Sequence, residues 1–361
     1  MIAIDPAVSV ADILYWVGVF GQSLEYHAHV HHRLGMSKQR VSCVNLTHPK
    51  PCLNVIFCIQ ITLRNIMATK LDQALLTDGA TVVRNLFDDD KIAKLLELYD
   101  YCFEHPSPIA LSQIRGEDRS YSDMLNSDPR VRELTEEALE GLPIGEMLSE
   151  VWGSEHVWYL TEEIFLKESK TNKNRGVFHQ DSSFAPWEGE HWANFWISFD
   201  PVPEENGLEI LKGTHLGPQY DYVPYDPEDP SNQSKRGKPF WGDKNDPPWP
   251  MALDIEGELA KNPTAWEVLK WGVSPGDVVV FHPHVIHGGA PTGPQYPRRR
   301  TLSLRFFGDK SRYKPIPPGG VGQTEEMHSE RMRLQKERGL KRGMKMKAGD
   351  PWRGPQFLQL R

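Results

Sequence analysis

The sequence predicts a mainly β protein with flanking helices, an α+β chain whose core is a double-stranded β-helix, or jelly roll. Three observations carry that reading. Between about residues 156 and 308 the chain is a succession of short apolar runs, among them WYLTEEIFLK, ANFWISFDPV, LEILKG, DVVVFH and TLSLRFF. Turn chemistry separates them: PEENG at 203–207 and SPGD at 274–277 place proline, glycine and acidic residues where the chain must reverse. Helical periodicity is confined to segments before these runs, so helices buttress the strands rather than alternate with them.

Taken in order, residues 1–66 lack sustained periodicity. They hold the histidine-rich HAHVHH (His27, His29, His31, His32) and three of the four cysteines, Cys43, Cys52 and Cys58. A histidine tract can bind metal, but nothing around this one supports it, and residues 1–66 are expected to form a poorly ordered N-terminal extension. A regular pattern opens at Met67 and marks a domain over 67–310. DGATVVRNLF (78–87) reads as a turn and a short strand. DDDKIAKLLELYDYCFEH (88–105) follows as an amphipathic helix, with Ile92, Leu95, Leu96, Tyr99, Cys102 and Phe103 at three- and four-residue spacing. Its leading aspartates suit the positive end of the helix dipole. A second helical stretch is expected over roughly 129–150.

Residues 218–271 interrupt the strands with a segment rich in Pro, Asp, Tyr and Trp, too long for an ordinary loop. Its Tyr220, Tyr222, Tyr225, Trp241 and Trp249 need an apolar partner, and the segment reads as an insert that closes over a substrate. Residues 311–361 supply a charged helix, TEEMHSERMRLQKERG, and a tail, DPWRGPQFLQL.

Composition narrows the function classes. A chain of 361 residues, 39% hydrophobic and 25% charged, suits a soluble globular protein with a substantial core. A formal net charge of -8 argues against nucleic acid or an anionic membrane as partner. The apolar runs ILYWVGVFG and CLNVIFCIQITL are too short to span a bilayer, and no secretory signal is visible. The four cysteines follow no CxxC or framework spacing. The expectation is a cytoplasmic protein with reduced thiols, acting on a small molecule, its oligomeric state open.

The chemistry gathers around FHQDSSFAPW (178–187). In an extended segment residues i and i+2 point the same way, so His179 and Asp181 can offer an imidazole and a carboxylate to one point. An H-x-D pair alone is commonplace. It gains weight from GDVVVFHPHVIHGG, where His282, His284 and His287 follow a strand. His287 is preferred because Gly288 and Gly289 behind it let the backbone approach a site closely; His282 and His284 read as structural. Two histidines and a carboxylate on one face of a metal, with the other positions open, make the facial triad of non-haem Fe(II) oxygenases.

Such a centre needs a handle for an anionic cosubstrate. YPRRRTLSLRFF supplies arginines, and a guanidinium grips a carboxylate bidentately. In a strand, Arg299, Thr301, Ser303 and Arg305 share one face, and Arg300, Leu302, Leu304 and Phe306 the other. The first face is polar throughout and suits an interior that binds a dicarboxylate. The second is mostly apolar and suits packing against helices. That parity favours Arg299 over Arg298 and Arg300.

These pieces, in this order, resemble the phytanoyl-CoA dioxygenase family of Fe(II)/2-oxoglutarate-dependent oxygenases over about residues 72–308. The matching stretches are DGATVVRNLF, FHQD, NFWISFDPVPEENGLEILKGTH, GDVVVFHPHVIHG and the arginine strand. The resemblance implies a cupin-like core with His179, Asp181 and His287 as metal ligands and catalytic centre. It implies Fe(II), with 2-oxoglutarate and O2 as cosubstrates, and Arg299 on the distal carboxylate of 2-oxoglutarate. Trp196 would line the same pocket, on which the polar face of Thr301 and Ser303 also opens. Asn206 and Gly207 match the family's turn before the GTH strand. Two departures stand out: Gly289 occupies a position where several relatives carry a small hydroxyl residue, and the 218–271 insert is long for the family. Trp187 and Trp192 read as packing residues or as the rim of the substrate cavity.

The implied activity is that of a 2-oxoglutarate-dependent dioxygenase, an oxidoreductase that hydroxylates an unactivated C–H bond of a small organic molecule and releases succinate and CO2. Desaturation or ring closure is chemically open to the same site. Asp181 speaks against a halogenase, which replaces the metal carboxylate with a small residue. A non-catalytic ligand-binding member of the fold, or a cupin-type isomerase or lyase without 2-oxoglutarate, fits less well with a complete triad and an arginine strand. Succinate release and anaerobic 2-oxoglutarate binding discriminate among them. No basic cluster is fitted to a CoA diphosphate, which favours a free metabolite over an acyl-CoA.

Overall fold

The computed structural model describes residues 71–361 apart from 72, 109, 125, 127, 172–174, 221–249, 251, 315–346 and 355–356. The described residues fall in one unit, Thr62–Arg361. The N-terminal histidine tract, the charged helix and Tyr222, Tyr225, Trp241 and Trp249 of the insert lie outside the described residues.

β1 (Ala80–Val83) leads into α1 (Asp89–Glu104). Asp88 caps the helix by accepting from the Lys91 N–H at 2.9 Å, and Leu95, Leu98, Tyr99 and Cys102 are its buried stripe. A hairpin follows, β2 (Leu111–Arg115) and β3 (Asp118–Met124). It was not foreseen, because DRSYSDM carries almost no apolar alternation. The single helical stretch expected over 129–150 is two helices, α2 (Pro129–Leu139) and α3 (Ile144–Trp152). They part where Gly141 takes the left-handed φ of 73° and Pro143 follows.

The strands that build the site are β4 (Val157–Glu168), β5 (Trp187–Gly189), β6 (Trp192–Ser198) and β7 (Leu208–Leu211). After the short helix α4 (Ile255–Lys261) come β8 (Val268–Leu269), β9 (Val278–Phe281), β10 (His287–Gly289) and β11 (Arg298–Gly308). β12 (Ser311–Tyr313) and β13 (Leu358–Gln359) come last. The large antiparallel sheet runs β1-β9-β6-β11-β4-β3-β2, with β13 added beside β4. A smaller sheet runs β10-β7-β8, and β12 pairs with β5. The predicted double-stranded β-helix is the fold observed.

Register explains which face holds the core. Leu302 lies opposite Ile164 and Ile197, and Leu304 opposite Phe195. These residues are buried against Leu95 and Leu98 of α1, Leu134 of α2 and Leu148 of α3 in the principal hydrophobic cluster, so the helices cover the outer face of the large sheet. The opposite rows face inward. Arg299 lies opposite Lys167, Ser303 opposite Glu163 and Trp196, and Arg305 opposite Thr161 and Asn194. Between the sheets Trp196, Val279 and Phe281 meet Leu208 and Ile210 of β7.

Two flanking segments pack on this core. Tyr220, Leu253, Leu259 and Trp266 from the described parts of the insert rest on Phe178, Leu211 and Ile286. Trp352 and Phe357 join Trp158, Trp187, Trp192 and Phe307, and Trp187 stacks on Trp192 at 3.7 Å between centroids. Cys102 is a buried cysteine in no disulfide. No helix among the described residues is long and apolar enough to cross a membrane.

Candidate metal centre

His287 is the first residue of β10, and His179 meets it across an isolated antiparallel bridge. Gln180 is still extended, with φ -112° and ψ 123°, and Asp181 then opens a short 3-10 turn over Asp181–Phe184. The i, i+2 relation therefore brings His179 and Asp181 together, although regular extension ends between them. Close backbone packing behind His287 is real: a Cβ on Gly288 would lie 2.9 Å from the Gly176 carbonyl oxygen.

The ring orientations are set by backbone carbonyls. Nδ1 of His179 lies 2.8 Å from Val177 O, and Nδ1 of His287 lies 3.2 Å from Val285 O. With those nitrogens donating, each Nε2 turns its lone pair toward Asp181 Oδ1, at 3.2 and 3.8 Å. Ligand atoms of the three residues all lie within 4.8 Å of one another, the only such His/Cys/Asp/Glu group among the described residues. Three acceptors aimed at one point call for a cation, and two imidazoles with one carboxylate suit a divalent first-row metal.

The electrostatics agree. Desolvation opposes charge on Asp181, but the His287 ring, the contact with His179 and the Arg305 guanidinium outweigh it and hold the carboxyl far below its usual range. Desolvation, followed by the His179 charge, pulls His287 down to about 4. Desolvation also lowers His179, yet its hydrogen bond to Asp181 and that residue's charge raise it overall. The site therefore favours positive charge between the imidazole and the carboxylate.

Asp181 Oδ2 is engaged elsewhere. Asn194 Nδ2 donates to it at 2.6 Å, and Arg305 Nη2 lies 3.5 Å away. The same Nη2 is 2.5 Å from Glu163 Oε2.

The three consecutive arginines are separated by parity. Arg298 is exposed and lies 3.5 Å from Glu168, and Arg300 pairs with Asp200 at 2.8 Å. Arg299 is buried, donates from Nη1 to Asn206 O and sits over the Trp196 ring at 5.8 Å. Thr301 and Ser303 are buried on the same inner row. An atom at the missing Cβ of Gly289 would lie 3.0 Å from Arg299 Nη2 and 3.5 Å from Lys167 Nζ. The bare backbone there leaves room beside two cations. Desolvation pulls Arg299 down to about 10, still charged at neutral pH. Desolvation and then the charge of Arg299 pull Lys167 down to about 7.

His282 and His284 serve the turn. His282 Nδ1 accepts from the His284 N–H at 3.1 Å, its Nε2 lies 3.2 Å from Glu190 O, and His284 Nδ1 lies 3.0 Å from Ser182 Oγ. Lys167, Glu163 and Asn194 carry no role in the sequence reading. The available signal was polar side chains at alternate positions of TEEIFLK and WANFW, in strands otherwise fit for a core.

A search of curated protein sequences returned no match. Among solved structures, the fold is similar to that of the non-heme alpha ketoglutarate dependent epimerase SnoN from nogalamycin biosynthesis. The identity is 17%, with 81% of this chain and 98% of that one covered and a TM-score of 0.52. The non-heme alpha ketoglutarate dependent carbocyclase SnoK from nogalamycin biosynthesis is similar at 16% identity, over 81% of this chain and 96% of that one, with a TM-score of 0.52. At such identities the likeness is one of fold. The Phytanoyl-CoA dioxygenase (PhyH) family model matches residues 75–300, a span that takes in more than half of the chain and His179, Asp181, His287 and Arg299. The chain belongs to the phytanoyl-CoA dioxygenase family.

Proposed function

We propose that the protein is an Fe(II)/2-oxoglutarate-dependent oxygenase that hydroxylates an unactivated C–H bond of a small organic molecule. One observation carries the reading: ligand atoms of His179, Asp181 and His287 converge within 4.8 Å, in a fold whose inner face also holds a buried arginine. In this reading the three residues hold one Fe(II), through Nε2 of each histidine and Oδ1 of Asp181. Arg299, with Trp196, Thr301 and Ser303 around it, receives the distal carboxylate of 2-oxoglutarate. When bound, iron with 2-oxoglutarate and O2 supplies the oxidising chemistry, with succinate and CO2 as coproducts.

The chain's own contribution is positional. Backbone carbonyls of Val177 and Val285 aim the imidazoles. Asn206 O and the Trp196 ring steady the Arg299 fork, so a carboxylate meets it in a fixed orientation. Trp196, Val279, Phe281 and Ile210 wall the inter-sheet space with apolar surface that excludes water.

The test is an anaerobic titration of Fe(II) and 2-oxoglutarate followed by visible charge-transfer absorption, then a metabolite screen for substrate-dependent succinate release. Fe(II)-loaded protein that fails to bind 2-oxoglutarate overturns the reading and points to an isomerase or lyase.

A further inference from the structure

We infer that Asn194 and Arg305 are positioning residues that tie back one oxygen of Asp181, so that the carboxylate takes a single position on the metal and leaves the neighbouring one open. The inference rests on the functional reading above and concerns residues outside the triad. Its basis is a division of labour between the two oxygens of Asp181. Oδ1 faces the imidazoles, at 3.2 Å from His179 Nε2 and 3.8 Å from His287 Nε2. Oδ2 faces away from them, receiving Asn194 Nδ2 at 2.6 Å with Arg305 Nη2 at 3.5 Å.

The two donors are built into the scaffold. Asn194 and Arg305 lie directly opposite one another in the β6–β11 pairing, and both are buried, at 1% and 7% exposure. Side chains held on paired strands of a packed sheet are placed more rigidly than side chains on a loop. The short Asn194 contact is a charge-assisted hydrogen bond and the stronger of the two. Arg305 acts over a longer distance and has a second task. Its Nη2 lies between two carboxyl groups, 2.5 Å from Glu163 Oε2 and 3.5 Å from Asp181 Oδ2. Without Arg305 that second carboxylate is released beside the metal position.

The chemical consequence follows from counting positions. A carboxylate with both oxygens free can chelate and take two positions, or a neighbouring carboxylate can add a fourth ligand. Either event removes an open position that a facial triad depends on. Ordinary structural damage weakens metal binding. Loss of this clamp adds donors to the metal instead, and so leaves metal affinity intact while closing a position to outside ligands.

That contrast makes the test. Co(II) affinity is measured by equilibrium dialysis, and azide affinity of the Co(II)·2-oxoglutarate protein by its visible d–d bands, in the wild type, Asn194→Ala, Arg305→Met and Arg305→Met/Glu163→Leu. Asn194→Ala keeps every charge, and the double variant removes Arg305 without stranding Glu163, so the test survives if Arg305→Met does not fold. The expected result is Co(II) affinity no lower than wild type in all three, with azide binding weakened or lost. Unchanged azide affinity in Asn194→Ala, or Co(II) and azide affinities falling together, overturns the clamp while leaving the functional reading in place. Wild-type protein that takes up neither Co(II) nor 2-oxoglutarate overturns that reading and the clamp with it.

Discussion

His179 and His287 exchange both of their backbone hydrogen bonds, at 2.8 and 2.9 Å, across a bridge that stands outside every longer strand pair. Their rings lie 4.4 Å apart between centroids. The spacing of two proposed ligands is therefore set by main chain and not by the side chains themselves. A closely hydrogen-bonded antiparallel pair has little freedom to slide.

The first prediction uses that independence. His179→Ala, Asp181→Ala and His287→Ala should each fold, because the bridge survives, and each should lose stoichiometric Co(II) or Fe(II) in equilibrium dialysis. His282→Ala should keep its metal, since the ring nitrogens of His282 are engaged by the His284 N–H and the Glu190 carbonyl. Retention of metal by His287→Ala together with its loss in His282→Ala would reassign the site.

The second concerns the arginine strand. Arg299→Lys replaces a planar fork with a point charge and should raise the 2-oxoglutarate KM on the order of tenfold or more. Arg298→Lys and Arg300→Lys should change it little, because those side chains face Glu168 and Asp200. A steady-state titration of 2-oxoglutarate decides the parity.

How much of this was legible in the sequence depended on how local the signal was. The H-x-D pair, the His-Gly-Gly and the alternation of RTLSLRF are short-range patterns. The structure brings His179, Asp181 and His287 together and puts Arg299, Thr301, Ser303 and Arg305 on the inward row of β11. The β2–β3 hairpin was not legible, since polar strands at a sheet edge carry no apolar period. Asn194, Glu163 and Lys167 were missed for a different reason. Their placement depends on which strands pair and in what register, and register is a long-range property that a single strand's pattern does not encode. The break between α2 and α3 was marked by Gly141 and Pro143, but a continuous apolar period across 129–150 masked it.

The third prediction tests the two faces of β11 through stability. Leu304 is fully buried beneath the helices and should cost about 2–5 kcal/mol when changed to Ala, by lost burial plus the cavity left behind. Ser303→Ala, one residue along on the inner face, should leave chemical denaturation nearly unchanged. Equal losses in the two variants would mean that the faces are not divided as described.

The fourth prediction is a pH dependence of cosubstrate binding carried by Lys167. Its Nζ stands with Arg299 Nη2 around the empty side-chain position of Gly289, so it can add to the charge a distal carboxylate meets. Desolvation, reinforced by Arg299, brings it down to about 7. A lysine is charged below its pKa. The contribution is therefore present at pH 6 and fades as pH rises through 7, while Arg299, near 10, stays charged throughout that window. Bound dicarboxylate favours the charged lysine, so the decline extends above pH 7 in the complex. The measurement is the 2-oxoglutarate Kd of Co(II)-loaded protein between pH 6 and 8.5, by calorimetry in two buffers of different ionisation enthalpy, which also counts the protons taken up. Wild type should bind more weakly as pH rises and should take up a proton on binding in the upper half of the range. Lys167→Met should bind more weakly at pH 6 and show a flat profile with no proton uptake. A Lys167→Met protein that keeps the wild-type slope would assign the titration to another group.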